Sequence, residues 1–254
     1  MLKLYTIGID IGSVATKIVL MNDKKIIQYK VCPSGWSPKE TCEKLVEDII
    51  CNNNLDRKDI KSIVATGYGR VALDFVDKKI TEITCHAKGA KFLNEKTSAI
   101  IDIGGQDSKA IELDDDGRVL NFIMNDKCAA GTGRFLEVIC TAMAIDVKEL
   151  SEIAYNGTPI KINSMCTVFA ESEIISLKSK GVKKEDIAAG LIHSIVDKVS
   201  SLTSKINLNE EVFFSGGLCN NEYLKDVLKS RLNKKINTDN RAQFTGAIGA
   251  ALLG

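Results

Sequence analysis

The sequence predicts an α/β protein made of two duplicated lobes with a cleft between them, on three observations. One pattern occurs twice: IGIDIGSVATKIVL at 7–20 and IIDIGGQDSKAIEL at 100–113 share Asp-Ile-Gly, four residues, then Lys, from Asp10 to Lys17 and from Asp102 to Lys109. A recurrence at fixed offset marks an internal duplication. Each copy also flanks its glycines with apolar, β-rich runs, the pattern of a hairpin around a permissive turn. Finally, helical periodicity follows each hairpin, and 254 residues are enough for two separate cores.

After the first hairpin the apolar spacing predicts a helix over 38–52, a strand over 60–66 ending in a Gly67-Tyr68-Gly69 loop, and a helix over 85–94. After the second it predicts helices over 132–144, 149–156, 170–180 and 184–207. A strand over 212–215 then runs into Gly216 and Gly217, and helices over 221–232 and 245–253 close the chain. The first lobe is expected to span 1–92, completed by the helix at 244–254, and the second to span 93–243.

The 34 basic side chains are nearly cancelled by 33 acidic ones, so no net field favours capture of nucleic acid or a membrane. The apolar run at 247–253 is far short of the ~20 residues that cross a bilayer, and no signal-peptide pattern is present, so the expected location is cytoplasmic.

A hairpin turn built on glycine lets backbone N–H groups approach a phosphate, and two such turns facing one another would hold a nucleotide from both sides. Asp10 and Asp102, at the ends of their strands, would orient a hydrated Mg²⁺ and the attacking water. Gln106 or Asp107 would lie near the γ-phosphate, and Glu171 is a weaker candidate. A third glycine turn, SGG at 215–217, joins a strand to a helix and offers further N–H groups. Neither a P-loop nor a GxGxxG fingerprint after the first strand occurs.

With these segments the chain resembles the acetate and sugar kinase, heat-shock chaperone and actin superfamily, through the two hairpins, SGG and TGAIGAA at 245–251. The resemblance implies ribonuclease-H-like, actin-like lobes around a nucleotide cleft that binds ATP or ADP with Mg²⁺. It places Gly12, Ser13, Val14, Ala15, Thr16 and Lys17 together with Gly104, Gly105 and Gln106 around the phosphates, and Gly216, Gly217 and Gln243 near adenosine.

Eight cysteines are many for a cytosolic chain, yet no CxxC pair occurs and only His86 and His193 are available, so the usual zinc spacings are missing. Cys128 in NDKCAAGTGRFLE and Cys166 in NSMCTVFAESE are each expected directly before a helix, where free N–H groups favour a thiolate. Cys32, Cys42, Cys51, Cys85, Cys140 and Cys219 read as structural. A four-iron cluster needs four thiolates, and a two-fold dimer would supply two from each chain; two buried structural cysteines are the alternative.

CAAGTGRFLE, CTVFAESE, ATGYGR at 65–70 and IDIGGQDSK are similar to the activator ATPases of 2-hydroxyacyl-CoA dehydratases, a family that includes the ATP-hydrolysing subunits of benzoyl-CoA reductases. Val14 stands where these proteins commonly carry a second hydroxyl residue. The resemblance implies a homodimer sharing one 4Fe-4S cluster on Cys128 and Cys166. It also implies reduced ferredoxin or flavodoxin as electron donor and a dehydratase, or a benzoyl-CoA-type reductase, as acceptor. A small-molecule kinase and a chaperone-like nucleotide switch are the competing classes, and neither needs a cluster.

Overall fold

The computed structural model describes residues 4–163, 166–208 and 210–254. In chain order the elements are β1 (Tyr5–Ile11), β2 (Ala15–Asn22), β3 (Lys25–Pro33), α1 (Pro38–Asn52), β4 (Ile60–Thr66), β5 (Lys78–Lys79) and α2 (Glu82–Leu93). There follow β6 (Ala99–Ile103), β7 (Ser108–Leu113), β8 (Val119–Asn125), α3 (Gly133–Met143), α4 (Leu150–Tyr155), α5 (Thr167–Ser179) and α6 (Lys184–Thr203). The chain ends with β9 (Glu211–Gly216), α7 (Glu222–Leu232), β10 (Lys235–Asn237) and α8 (Thr245–Leu252). Among the described residues no helix is long and apolar enough to cross a membrane.

The chain forms two compact units, one of 1–97, 113–120 and 239–254, the other of 98–112 and 121–238. Each holds one five-stranded sheet, in the orders β3-β2-β1-β4-β5 and β10-β9-β6-β7-β8. The repeat is thus a repeat of topology: two antiparallel strands, then a parallel neighbour beside the first.

In the first unit the strand alternation sorts side chains to two faces. Ile7, Ile9 and Ile11 of β1 join Ile18 and Leu20 of β2 against Cys42, Leu45, Val46 and Ile49 of α1. The opposite face presents Val19 and Met21 to Ala247, Ile248 and Ala251 of α8. Behind it, α2 and α8 meet backbone to backbone: a Cβ on Gly89 would strike the Thr245 carbonyl, and one on Gly249 the Cys85 carbonyl. Side chains of ordinary size would force the helices apart, so glycine sets their spacing.

In the second unit β6 and β7 are buried throughout, and Phe213 and Phe214 of β9 are fully enclosed. The long helix α6 packs against α4, α5 and α7, while α3 packs against α5.

Several local expectations need correction: α5 starts at Thr167 rather than 170, and α6 ends at Thr203 rather than 207. Residues 68–72 form a 3-10 turn rather than an open loop, entered through Gly67 at φ +84°. Helix α2 begins at Glu82, three residues early, because Thr81 accepts a bond from the Thr84 N–H and caps it, although Thr and Ile there favour strand. Cys128 does not directly precede α3: a turn through Gly131, at φ +82°, lies between them, and Thr132 is the N-cap. Cys166, by contrast, is itself the N-cap residue of α5. Ser164 and Met165 of the NSMC segment lie outside the described residues.

Candidate functional site

The repeated Asp…Lys spacing has a physical cause in strand register. Asp10 lies opposite Lys17 across β1–β2, and Asp102 opposite Lys109 across β6–β7. Each pair is an ion pair, at 3.6 Å between Lys17 Nζ and Asp10 Oδ2 and 3.4 Å between Lys109 Nζ and Asp102 Oδ2.

The two carboxylates differ in their surroundings. Asp102 is saturated: Ser215 Oγ donates to its Oδ1 at 2.7 Å, and Lys109, 1% exposed, bridges it to Asp107 Oδ2 at 2.7 Å. Asp10 is 3% exposed, and its Oδ1 has no hydrogen-bond partner among the described residues. A cradle of two glycines surrounds it. A Cβ on Gly67 would come within 2.6 Å of Oδ1, and one on Gly246 within 2.8 Å of Oδ2. A buried carboxylate oxygen without a donor is costly unless a cation or its water shell completes it. The site around Asp10 therefore fits a hydrated Mg²⁺.

Around the first turn the Gly12 N–H closes on the Ala15 carbonyl at 3.1 Å, Ser13 is exposed at the apex and Val14 is half-buried. The Thr16 side chain turns inward, its hydroxyl 3.0 Å from Ser34 Oγ, which in turn donates to the Gly12 carbonyl at 2.7 Å. Thr16 thus braces the turn from beneath.

In the second turn the Gly104 N–H closes on the Asp107 carbonyl at 2.9 Å, and Gln106 is exposed. The carbonyls of Gly104 and Gly105 accept the N–H groups of Gly133 and Arg134, at 2.9 and 2.8 Å. These are the first donors of α3, which have no partner within the helix, so the glycine turn is hydrogen-bonded to the start of the helix that follows Cys128.

In the third turn, the N–H of Gly217 is committed to the Ile103 carbonyl at 3.1 Å, and Asn221 caps α7 through the Leu224 N–H. Among the described residues, chain neighbours aside, no atom stands within 4 Å of the position a Gly217 side chain would take, so that surface is open. Gln243 is half-buried in the 3-10 turn 242–244 of the first unit, and Glu171 is exposed on α5.

Burial separates the cysteines. Desolvation pushes the thiols of Cys42, Cys85 and Cys140 up to about 12, and raises Cys32 as well. Cys219 is buried, and the exposed thiols are Cys51, Cys128 and Cys166. Cys51 stands on α1 in the first unit, whereas the other two stand at the entrances of α3 and α5, which pack against each other. The Asn125 side chain holds the first of these turns, donating to the carbonyls of Cys128 at 2.8 Å and Ala130 at 3.1 Å. Accessible thiol donors on adjoining elements fit a soft metal centre, and two donors are half the set a four-iron cluster takes.

Alkylation of iron-free protein with iodoacetamide at pH 8 should modify Cys51, Cys128 and Cys166 and spare Cys42, Cys85 and Cys140 until the chain is unfolded. Peptide mass mapping would read this directly.

Sequence reasoning missed Ser215 and Ser34 as braces, Gly67 and Gly246 as the cradle, and the α3 contact. Each depends on segments remote in the chain. The one visible signal was the glycine in ATGYGR and in TGAIGAA.

Comparison with known proteins places these features in context. A model of the BadF/BadG/BcrA/BcrD ATPase family matches residues 7–254. The 2-hydroxyisocaproyl-CoA dehydratase activator of Clostridioides difficile is 44% identical over 98% of this chain and 94% of its own length. The (R)-2-hydroxyglutaryl-CoA dehydratase activating ATPase of Acidaminococcus fermentans is 40% identical over 99% and 97%. Among solved structures, the activator of the 2-hydroxyisocaproyl-CoA dehydratase from Clostridium difficile with bound ADPNP superposes with a TM-score of 0.93. It is 44% identical, with 98% of this chain and 94% of that one covered.

Proposed function

The chain belongs to the BadF/BadG/BcrA/BcrD ATPase family, and from that premise we propose that it is the ATP-dependent activator of a 2-hydroxyacyl-CoA dehydratase, coupling hydrolysis to delivery of single electrons. The observation that carries this reading is the pair of bonds from Gly133 and Arg134 to Gly104 and Gly105. They join a phosphate-type turn to the helix behind a cluster-type cysteine.

In this reading the first turn would offer phosphate the backbone N–H groups of Ser13, Val14 and Ala15 and the Lys17 cation, and the Asp10 carboxylate would orient a hydrated Mg²⁺. The second turn would offer Gly105 and Gln106, beside an Asp102 carboxylate held by Ser215 and Lys109. The open surface at Gly217 would receive adenosine. A change at the γ-phosphate that shifts the Gly104–Gly105 carbonyls pulls on α3, and α3 on α5.

Cys128 and Cys166 would hold the cluster with the same two residues of a second copy. A 4Fe-4S centre there would supply low-potential electrons, replenished by reduced ferredoxin or flavodoxin. The flank of α5 supports the dimer: the helix that Cys166 caps buries Ala170 and Ile174 but leaves Val168, Phe169 and Ile175 exposed, apolar side chains of the kind that a protein partner covers.

The test is an activation assay. Anaerobically purified protein, a strong reductant and MgATP should switch on a resting 2-hydroxyacyl-CoA dehydratase, and omission of ATP should abolish the effect. Failure to activate, with phosphate transferred instead to a sugar or carboxylate, would make the chain a small-molecule kinase.

A further inference from the structure

Beside Asp10 lies a buried imidazole with no role in the phosphate turns or the cysteine pair. His86 sits on α2 at 4% exposure, its Nε2 3.7 Å from Oε1 of Glu82 one turn earlier. A Cβ built on Gly246 of α8 would come within 2.8 Å of Asp10 Oδ2 and 3.0 Å of His86 Nε2. The carboxylate oxygen and the imidazole nitrogen therefore flank one point on α8, and the missing side chain of Gly246 is what lets both stand there. The glycine joint between α2 and α8, at Gly89 and Gly249, fixes the helix that carries His86 against the helix that carries Gly246.

Two features give this arrangement a purpose beyond packing. The Glu82–His86 separation is longer than a direct hydrogen bond and suits a bridging water. Burying an imidazole near a carboxylate is costly unless the two act on one another, and the Asp10 carboxylate has one oxygen 3.6 Å from Lys17 Nζ and the other without a hydrogen-bond partner among the described residues. We infer that His86, oriented by Glu82, is a positioning residue that holds the Asp10 carboxylate in the orientation ATP hydrolysis requires. The inference rests on the reading of Asp10 as the Mg²⁺- and water-orienting carboxylate.

Steady-state ATP hydrolysis by anaerobically prepared protein tests it with H86A, H86Q, E82Q and D10N. Residues that orient a metal's ligands typically change activity by about 10- to 100-fold when removed. H86A is expected to lose about that much in kcat, while KM for ATP moves by less than about threefold. H86Q, whose amide nitrogen reaches the same place, should regain most of the rate, and E82Q should show a smaller kcat loss. The Mg²⁺ concentration for half-maximal rate should rise in H86A. A merely structural role would lower thermal stability without splitting kcat from KM and without rescue by Gln.

Normal turnover in H86A alongside an inactive D10N overturns the inference alone. Normal turnover in D10N overturns the reading of Asp10 and this inference with it. Should H86A fail to fold, H86Q and E82Q decide: wild-type kcat and Mg²⁺ dependence in both would overturn the assignment.

Discussion

Asp10→Asn is expected to slow ATP hydrolysis by about 10²–10³-fold, the scale on which removing one preorganised electrostatic group lowers a chemical step. The substitution keeps the size of the side chain, so the glycine cradle of Gly67 and Gly246 still closes around it. It removes the charge that faces the ligand and that pairs with Lys17, whose side chain at 18% exposure keeps access to water, so the stability cost is small. Asp102→Asn should behave differently. It strips a charge partner from Lys109, which is 1% exposed, and breaking a buried pair costs about 3–5 kcal/mol. Asp107 softens that loss, because it also pairs with Lys109. Thermal denaturation and kcat measured on both variants would separate the roles: D10N loses rate at nearly full stability, D102N loses stability first. Wild-type turnover in D10N would contradict the assignment.

The second large effect is expected at the cysteines. Cys128→Ala and Cys166→Ala should each abolish dehydratase activation and strip the bound iron, while ATP hydrolysis remains within about fivefold of wild type, since the phosphate turns keep their own bonds. Cys42, Cys85 and Cys140 cannot take over, because burial holds their thiols near 12. Cys51→Ala is the control: it is exposed but stands in the other unit, and both activities should survive. Retained iron and activation in C128A or C166A would refute the ligand assignment.

The hairpins were legible because each Asp…Lys interval is an in-register ion pair across a tight turn. Helix α1 and strand β4 were legible to the residue, since their apolar periodicity is undiluted. The third strand of each sheet was not. In β3 the apolar Ile27, Tyr29 and Val31 are the exposed residues and Lys30 the half-buried one, so the usual inward-apolar rule fails at this sheet edge; β8 repeats the problem with Leu120, Phe122 and Met124. The start of α5 was also misjudged, as Thr167, Val168 and Phe169 favour strands in isolation.

Of the candidate site, residue types were readable and their connections were not. Asp10, Lys17, Asp102 and the glycines could be named from the repeat, but which carboxylate is saturated depends on Ser215 and Lys109. The bonds from the Gly104–Gly105 turn to α3 are backbone contacts and leave no mark in side-chain pattern. Cys128 and Cys166 stood out by their flanking segments, and their exposure adds the physical reason. His86 gave no signal, because its neighbours arrive from β1 and α8 at opposite ends of the chain.

The most direct test of the account is iron and acid-labile sulfide analysis of oxygen-free protein, with its mass measured under native conditions. A dimer carrying four iron and four sulfide per two chains is expected. A monomer devoid of both, still hydrolysing ATP, would contradict it.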